Sequence, residues 1–260
     1  MTTVREPAVA GHFYPEDPGE LQALVSGMLG EVHDDEDVAP KAIVAPHAGY
    51  VYSGAVAAAA YATLAPYRAV YTRVVLLGPC HRVPVAGIAL SAANAFRTPL
   101  GDVPVDREAA AALKDHGVTV FEPSHQYEHS LEVHLPFLQT VLGEFSIVPL
   151  VVGEATPQSV AKLLETLWDG PETLIVVSSD LSHYLDYDTA RARDRETCRR
   201  IEHLDTRIDH DDACGATPLR GLLLAAKRRD MRVKTLDLCN SGDTGGDRDF
   251  VVGYGAWLFA

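Results

Sequence analysis

Five residues of the chain are of types that ligate metals or move protons, and each follows an apolar run. AIVAP leads into His47, VVLLGPC into His81, TLIVVSS into Asp180 with His183 three residues on, and VKTLDL into Cys239. Two neutral imidazoles with a thiolate suit Zn, Cu or Fe, whereas Mg and Ca prefer oxygen donors. Two His with a carboxylate match instead the facial triad of non-haem Fe(II) enzymes. Asp180 or Cys239 can supply the third ligand, and spacing does not choose between them. A cysteine ligand must be a thiolate, which a nearby cation favours. His183 is left as general acid or base, since an unperturbed His titrates near ~6.5. A lone His at a strand end is more often structural than functional, but five such groups in corresponding positions favour a site.

Weaker signals surround these. SHQYEHSLEVHLPFL (Ser124–Leu138) is rich in His; on a helix entered near Ser130, His129 and Glu132 are expected to line the cleft together. His125 ranks below them, and His134 points elsewhere, to the surface or into packing. The spacing is not that of a HExxH zinc protease. Gly49 permits a turn after His47, and the CNSGDTGGD loop fits neither a phosphate-binding loop nor a dinucleotide fingerprint. Tyr14, Tyr50 and Tyr52 read as packing. Cys80 is expected to be buried, and Cys198 and Cys214 to be structural.

These groups need elements to bring them together. Candidate strands are Ala42–Ala45, Val74–Leu77, Gly87–Leu90, Val118–Phe121, Ser146–Val152, Thr173–Val177, Val233–Leu238 and Phe250–Phe259. Several are continuously apolar, as suits strands covered on both faces. Helical patterns lie between them: Pro18–Leu29, Ser53–Thr63, Asp106–His116, Ser130–Leu142, Pro157–Trp168, Thr189–Leu204 and Thr217–Arg228. The acidic run at 33–37 reads as a solvated loop. The alternation predicts an α/β fold, a mixed or mostly parallel central sheet flanked by helices, in one domain over 1–260. Ligands of such sheets bind beyond the carboxyl ends of the strands, where the five groups would converge.

Composition narrows the function. A net charge of −14 over 260 residues argues against nucleic acid and anionic membrane as partners. No apolar run reaches the ~18 residues of a membrane span. Four cysteines without a CxxC pair exclude a zinc ribbon or a disulfide framework, so a cytoplasmic location is expected.

The chain resembles the Memo family, whose prokaryotic members are named AmmeMemoRadiSam system protein B. The resemblance rests on REPAVAGHFYPEDPGEL, APHAGYVYSG, LLGPCH, YEHSLEVHLPFL, SSDLSHY, CNSGD and VVGYGAW, in order over nearly the whole chain. It implies a fold similar to the class III extradiol dioxygenases, with metal ligands at His47, His81 and Cys239 and with Asp180 and His183 beside them as catalytic residues. It implies iron- or copper-dependent redox chemistry and functional links to radical-SAM and AMMECR-type proteins. The resulting expectation is a metal-dependent oxidoreductase, dioxygenase-like, acting on a small molecule, with Fe or Cu favoured and Zn possible as cofactor. A module binding a short peptide or small ligand is the second reading, and a zinc hydrolase with Glu132 or His183 as base is the third.

Overall fold

The structure is a computed structural model, and it describes residues 3–32, 38–168 and 170–260. The acidic run at 33–37 lies outside the described residues.

The first half of the chain contains β1 (Val4–Arg5), α1 (Pro18–Gly30), β2 (Ala42–Ala45), α2 (Tyr50–Ala62), β3 (Arg73–Pro79), β4 (Ile88–Leu90), β5 (Ala95–Thr98), β6 (Gly101–Pro104), α3 (Arg107–Ala112), β7 (Val118–Val120) and α4 (Pro123–Gln126). The second half contains α5 (Leu135–Val141), β8 (Ser146–Val152), α6 (Pro157–Leu167), β9 (Thr173–Ser178), β10 (His183–Leu185), α7 (Tyr187–Glu202), α8 (Ala216–Lys227), β11 (Val233–Asn240), α9 (Ser241–Thr244) and β12 (Val251–Phe259).

Nine strands form one mixed sheet, as expected. Its centre is the parallel run β2-β9-β3-β8. β12 joins β2 antiparallel and carries β11 on its other side, and β4 joins β8 antiparallel. The central strands are buried throughout because each is apolar on both faces. Alternation sends Ile43, Val74, Leu76 and Val176 to a core beneath α1, α2 and α5. Val44, Val75, Leu77 and Val177 go to the opposite core, beneath α6 and α8. Each such side chain contributes on the order of 1.5–3 kcal/mol of transfer free energy. No helix among the described residues is long and apolar enough to cross a membrane.

Several local readings change. α2 begins at Tyr50 behind Gly49, and Ser53, read as its cap, lies inside the first turns with its hydroxyl on the Ala48 carbonyl at 3.0 Å. The stretch from Ser130 first makes a 3-10 turn, Glu132–His134, and only then a helix. A second sheet, β1-β5-β6, anchors the N-terminal segment; its strands are two to four residues long, too short to give a period.

Candidate metal centre

The parallel strands end in register. Ala45 of β2 pairs with Ser178 of β9, and Leu77 of β3 with Val177 of β9. His47, Asp180 and His81 each follow two residues past the end of their strands, so all three stand at one edge of the sheet. They line a cleft of about 760 Å³ together with Phe13, Arg82, His129, His183, Cys214 and Tyr254, among others.

His47 is buried. Its Nδ1 lies 2.6 Å from Ser178 Oγ, whose own proton goes to the Ser130 carbonyl at 2.6 Å. The Ser178 hydroxyl has one proton and has spent it, so His47 Nδ1–H must be the donor and Nε2 carries the lone pair. That Nε2 faces Cys214 Sγ at 3.4 Å. Burial, then repulsion from neighbouring imidazoles, holds His47 well below the usual His range, in the neutral form a metal requires.

His81 is oriented by Glu128. Its Nδ1 lies 2.9 Å from Glu128 Oε1, and its main-chain N–H donates to Oε2 at 2.6 Å. Main-chain N–H groups of His129 and Ser130 also donate to Oε1. Burial pushes the Glu128 carboxyl up, but hydrogen bonds from His81 outweigh it and bring it down to about 2. The ionised carboxylate therefore accepts the Nδ1–H hydrogen bond and turns His81 Nε2 toward the cleft, the arrangement by which carboxylates orient ligating imidazoles. The His47 and His81 rings lie 5.0 Å apart between centroids, and His129 stacks on His81 at 4.7 Å.

The thiol at this point is Cys214, not Cys239. Donor atoms of His47, His81 and Cys214 all lie within 4.8 Å of one another. Cys214 comes from the loop before α8, and the Asp180 N–H donates to its sulfur at 3.3 Å. Gly215 permits the approach, since a Cβ there would sit 2.5 Å from the Ser178 carbonyl oxygen. Burial and Asp180 push the Cys214 thiol up. Cys239, expected as the third ligand, pairs with Tyr254 on β12. β12 stands between β11 and β2, so Cys239 lies two strand spacings, roughly 10 Å, from the strand that carries His47. It lines a separate cavity of about 160 Å³ with Tyr187, Arg191 and Asp194. Burial first, then Asp237 and Asp243, push its thiol up to about 12.

Asp180 and His183 both line the cleft. Asp180 Oδ1 accepts the His47 main-chain N–H at 2.7 Å, and Oδ2 lies 3.8 Å from His47 Nε2. Burial, opposed by the His47 N–H, lifts this carboxyl to about 7. His183 opens β10, and burial lowers it. Tyr184 beside it adopts a left-handed backbone, φ 58°, and turns outward.

His129 lines the cleft, and Glu132 does not. Glu132 is sealed in the interior, where it accepts from the Arg5 guanidinium, Ala8 N at 2.8 Å, Val9 N at 3.0 Å and Tyr14 OH at 2.5 Å. The 3-10 turn points it away from the cleft. His134 is packed inside, its Nδ1 2.7 Å from Tyr61 OH, and His125 is buried with Nε2 3.1 Å from the Ala89 carbonyl. Cys80 is partly buried, packed against the core, rather than fully buried. Cys214, read from the sequence as structural, stands instead with His47 and His81, and Glu128 was not singled out. The one available signal was that Glu128 and His129 adjoin in a His-rich segment.

Residues 5–258 match the family described as Memo-like protein. The chain is 38% identical to the MEMO1 family protein MK0963 of Methanopyrus kandleri, covering 98% of each chain. It is 38% identical to a MEMO1 family protein of Aquifex aeolicus, covering 98% of this chain and 99% of the relative, and 35% identical to one of Sulfolobus acidocaldarius, covering 96% and 97%. Among solved structures it resembles the uncharacterized protein JW3007 of Escherichia coli K12, with a TM-score of 0.55 at 13% identity, covering 84% of this chain and 98% of that one, a likeness of fold alone. The profile and the near-complete coverage of relatives agree with the motifs that surround the cleft, and the chain belongs to the Memo family.

Proposed function

We propose that the cleft is a mononuclear metal centre held by His47, His81 and Cys214, and that the protein is a non-haem iron- or copper-dependent oxidoreductase of a small-molecule substrate. The observation that carries this reading is the convergence of two imidazoles and a sulfur within 4.8 Å, with each imidazole's remote nitrogen fixed by a hydrogen bond. The donors fit a borderline or soft ion and not Mg or Ca. A bound iron or copper ion would supply one-electron chemistry and Lewis acidity.

The chain's own residues have separable tasks. Ser178 and Glu128 hold the two imidazoles in their ligating tautomers. Asp180 orients the His47 main chain and supports the Cys214 sulfur through its N–H. His183, on the cleft wall and free of the ligand set, is placed to take or give a proton to a bound substrate. All four cysteines are free, in keeping with a reducing, cytoplasmic setting.

The test is metal analysis of protein purified without added metal, followed by loading with Fe(II), Cu(I) and Zn(II). We expect one ion per chain, with binding weakened at least about a hundredfold by Cys214→Ser or His47→Ala and unchanged by Cys239→Ser. Oxygen uptake with a reductant should accompany iron or copper and be lost in His183→Ala. Tight zinc with chelator-sensitive ester hydrolysis and no oxygen uptake would replace this reading by a hydrolase. Failure to hold any of the three ions would end it.

A further inference from the structure

The cleft contains two guanidinium groups in opposite electrostatic states. Arg193 is neutralised by a cluster of acids: its Nε lies 2.8 Å from Asp212, and Asp209 and Asp211 lie 3.9 Å from its Nη2. Arg82 has no carboxylate within ion-pair distance among the described residues. It follows His81 directly, so its Cα is about 3.8 Å from that of a proposed ligand. It also lines two cavities at once, the metal cleft and an adjoining groove of about 450 Å³ that reaches Val85 and Val152.

Long-range attraction does not explain an unpaired cation here. The chain carries a net charge of −14, so its far field repels anions. At physiological salt that field fades over about 8 Å, whereas contact with a guanidinium inside a cleft does not depend on it. A planar, bidentate donor beside a metal centre selects a planar oxyanion at short reach.

Resting on the metal-centre reading, we propose that Arg82 is a specificity-determining residue and that the ligand of this cleft is a small organic carboxylate. Its acid group lies on the Arg82 guanidinium while an oxygen donor a few bonds away faces His47, His81 and Cys214. The adjoining groove accepts whatever apolar extension the acid carries.

Calorimetric titration of the full chain with three probes tests this: catechol, 3,4-dihydroxybenzoate and benzoate, each with metal-loaded and chelator-treated protein. We expect 3,4-dihydroxybenzoate to bind at least about tenfold more tightly than catechol. Arg82→Gln should bring that ratio to within about twofold, and Arg82→Lys should restore part of it. Arg82 is exposed, so these variants should melt with the wild type. Benzoate carries no hydroxyl for a metal; it should bind weakly with or without the ion and lose that binding in Arg82→Gln. Benzoate binding that needs Arg82, in a protein to which catechol is indifferent, upholds the acid pocket while removing the metal centre. An unchanged ratio in Arg82→Gln, or a wild type that ignores both acids at millimolar concentration, overturns the proposal.

Discussion

Glu128 and Glu132 stand four residues apart, both almost fully buried, and differ in where their hydrogen bonds lead. Every donor to Glu132 belongs to the interior: the Arg5 guanidinium, two main-chain N–H groups and the Tyr14 hydroxyl. Glu128 takes main-chain N–H groups too, but one of its partners is the His81 imidazole, whose far nitrogen opens on the cleft. A closed network of this kind holds a segment in place; an open one hands its orientation to a reactive group. The two carboxylates look alike in sequence and burial, and only the last partner in each chain of bonds separates structure from chemistry.

The contrast is broken or sharpened by three measurements. The largest effect belongs to the closed network. Glu132→Ala leaves the Arg5 guanidinium buried and unpaired, and should cost about 3–5 kcal/mol in urea unfolding. A loss below about 1 kcal/mol would show that the network is slack and the contrast false.

Next comes pH. Burial lowers His134 to about 3 and His125 to about 4, whereas an unfolded His titrates near 6.5. Between these values the unfolded chain binds protons that the folded chain refuses, so the stability is complete above about 6.5 and falls as the pH drops. Each group should remove on the order of 2–3 kcal/mol by about pH 4.5. Urea midpoints taken down the pH scale should fall accordingly, and His134→Gln, which keeps a hydrogen-bonding amide and cannot titrate, should flatten the slope. A flat profile in the wild type would mean that these imidazoles are already charged in the fold.

The smallest effect belongs to the open network. Glu128→Gln keeps the shape but weakens its hold on the His81 tautomer, so metal affinity should fall about ten- to a hundredfold while the unfolding midpoint moves little by comparison with Glu132→Ala. A stability loss as great as that of Glu132→Ala, without any change in affinity, would make the two carboxylates equivalent.

The sequence made the centre of the sheet legible because its strands are apolar on both faces. Ala42–Ala45 and Ser146–Val152 coincide with β2 and β8. The strand-end rule placed His47, His81 and Asp180 at one edge of the sheet, and they stand there because β2, β3 and β9 are parallel neighbours whose ends are level. It misplaced the thiol for a topological reason. β11 runs in the same direction as β2, but β12 is interposed, and nothing local announces that insertion. Cys214 reaches His47 across 167 residues of chain from a loop with no periodic signal. Glu132 went astray because a 3-10 turn replaced the first turn of the expected helix and rotated it inward.

β12 occupies one side of β11, and no strand among the described residues pairs with the other. The outer edge of such a strand is a template that a second polypeptide could extend. The register irregularity between Thr235 and Asp237 interrupts the row of donors and acceptors, and Lys234 and Asp237 set opposite charges along it. An incoming strand would meet a kink and two ions within four residues. β11 thus carries two features that discourage edge-to-edge pairing, and a smoother, uncharged version of it would be more prone to such pairing.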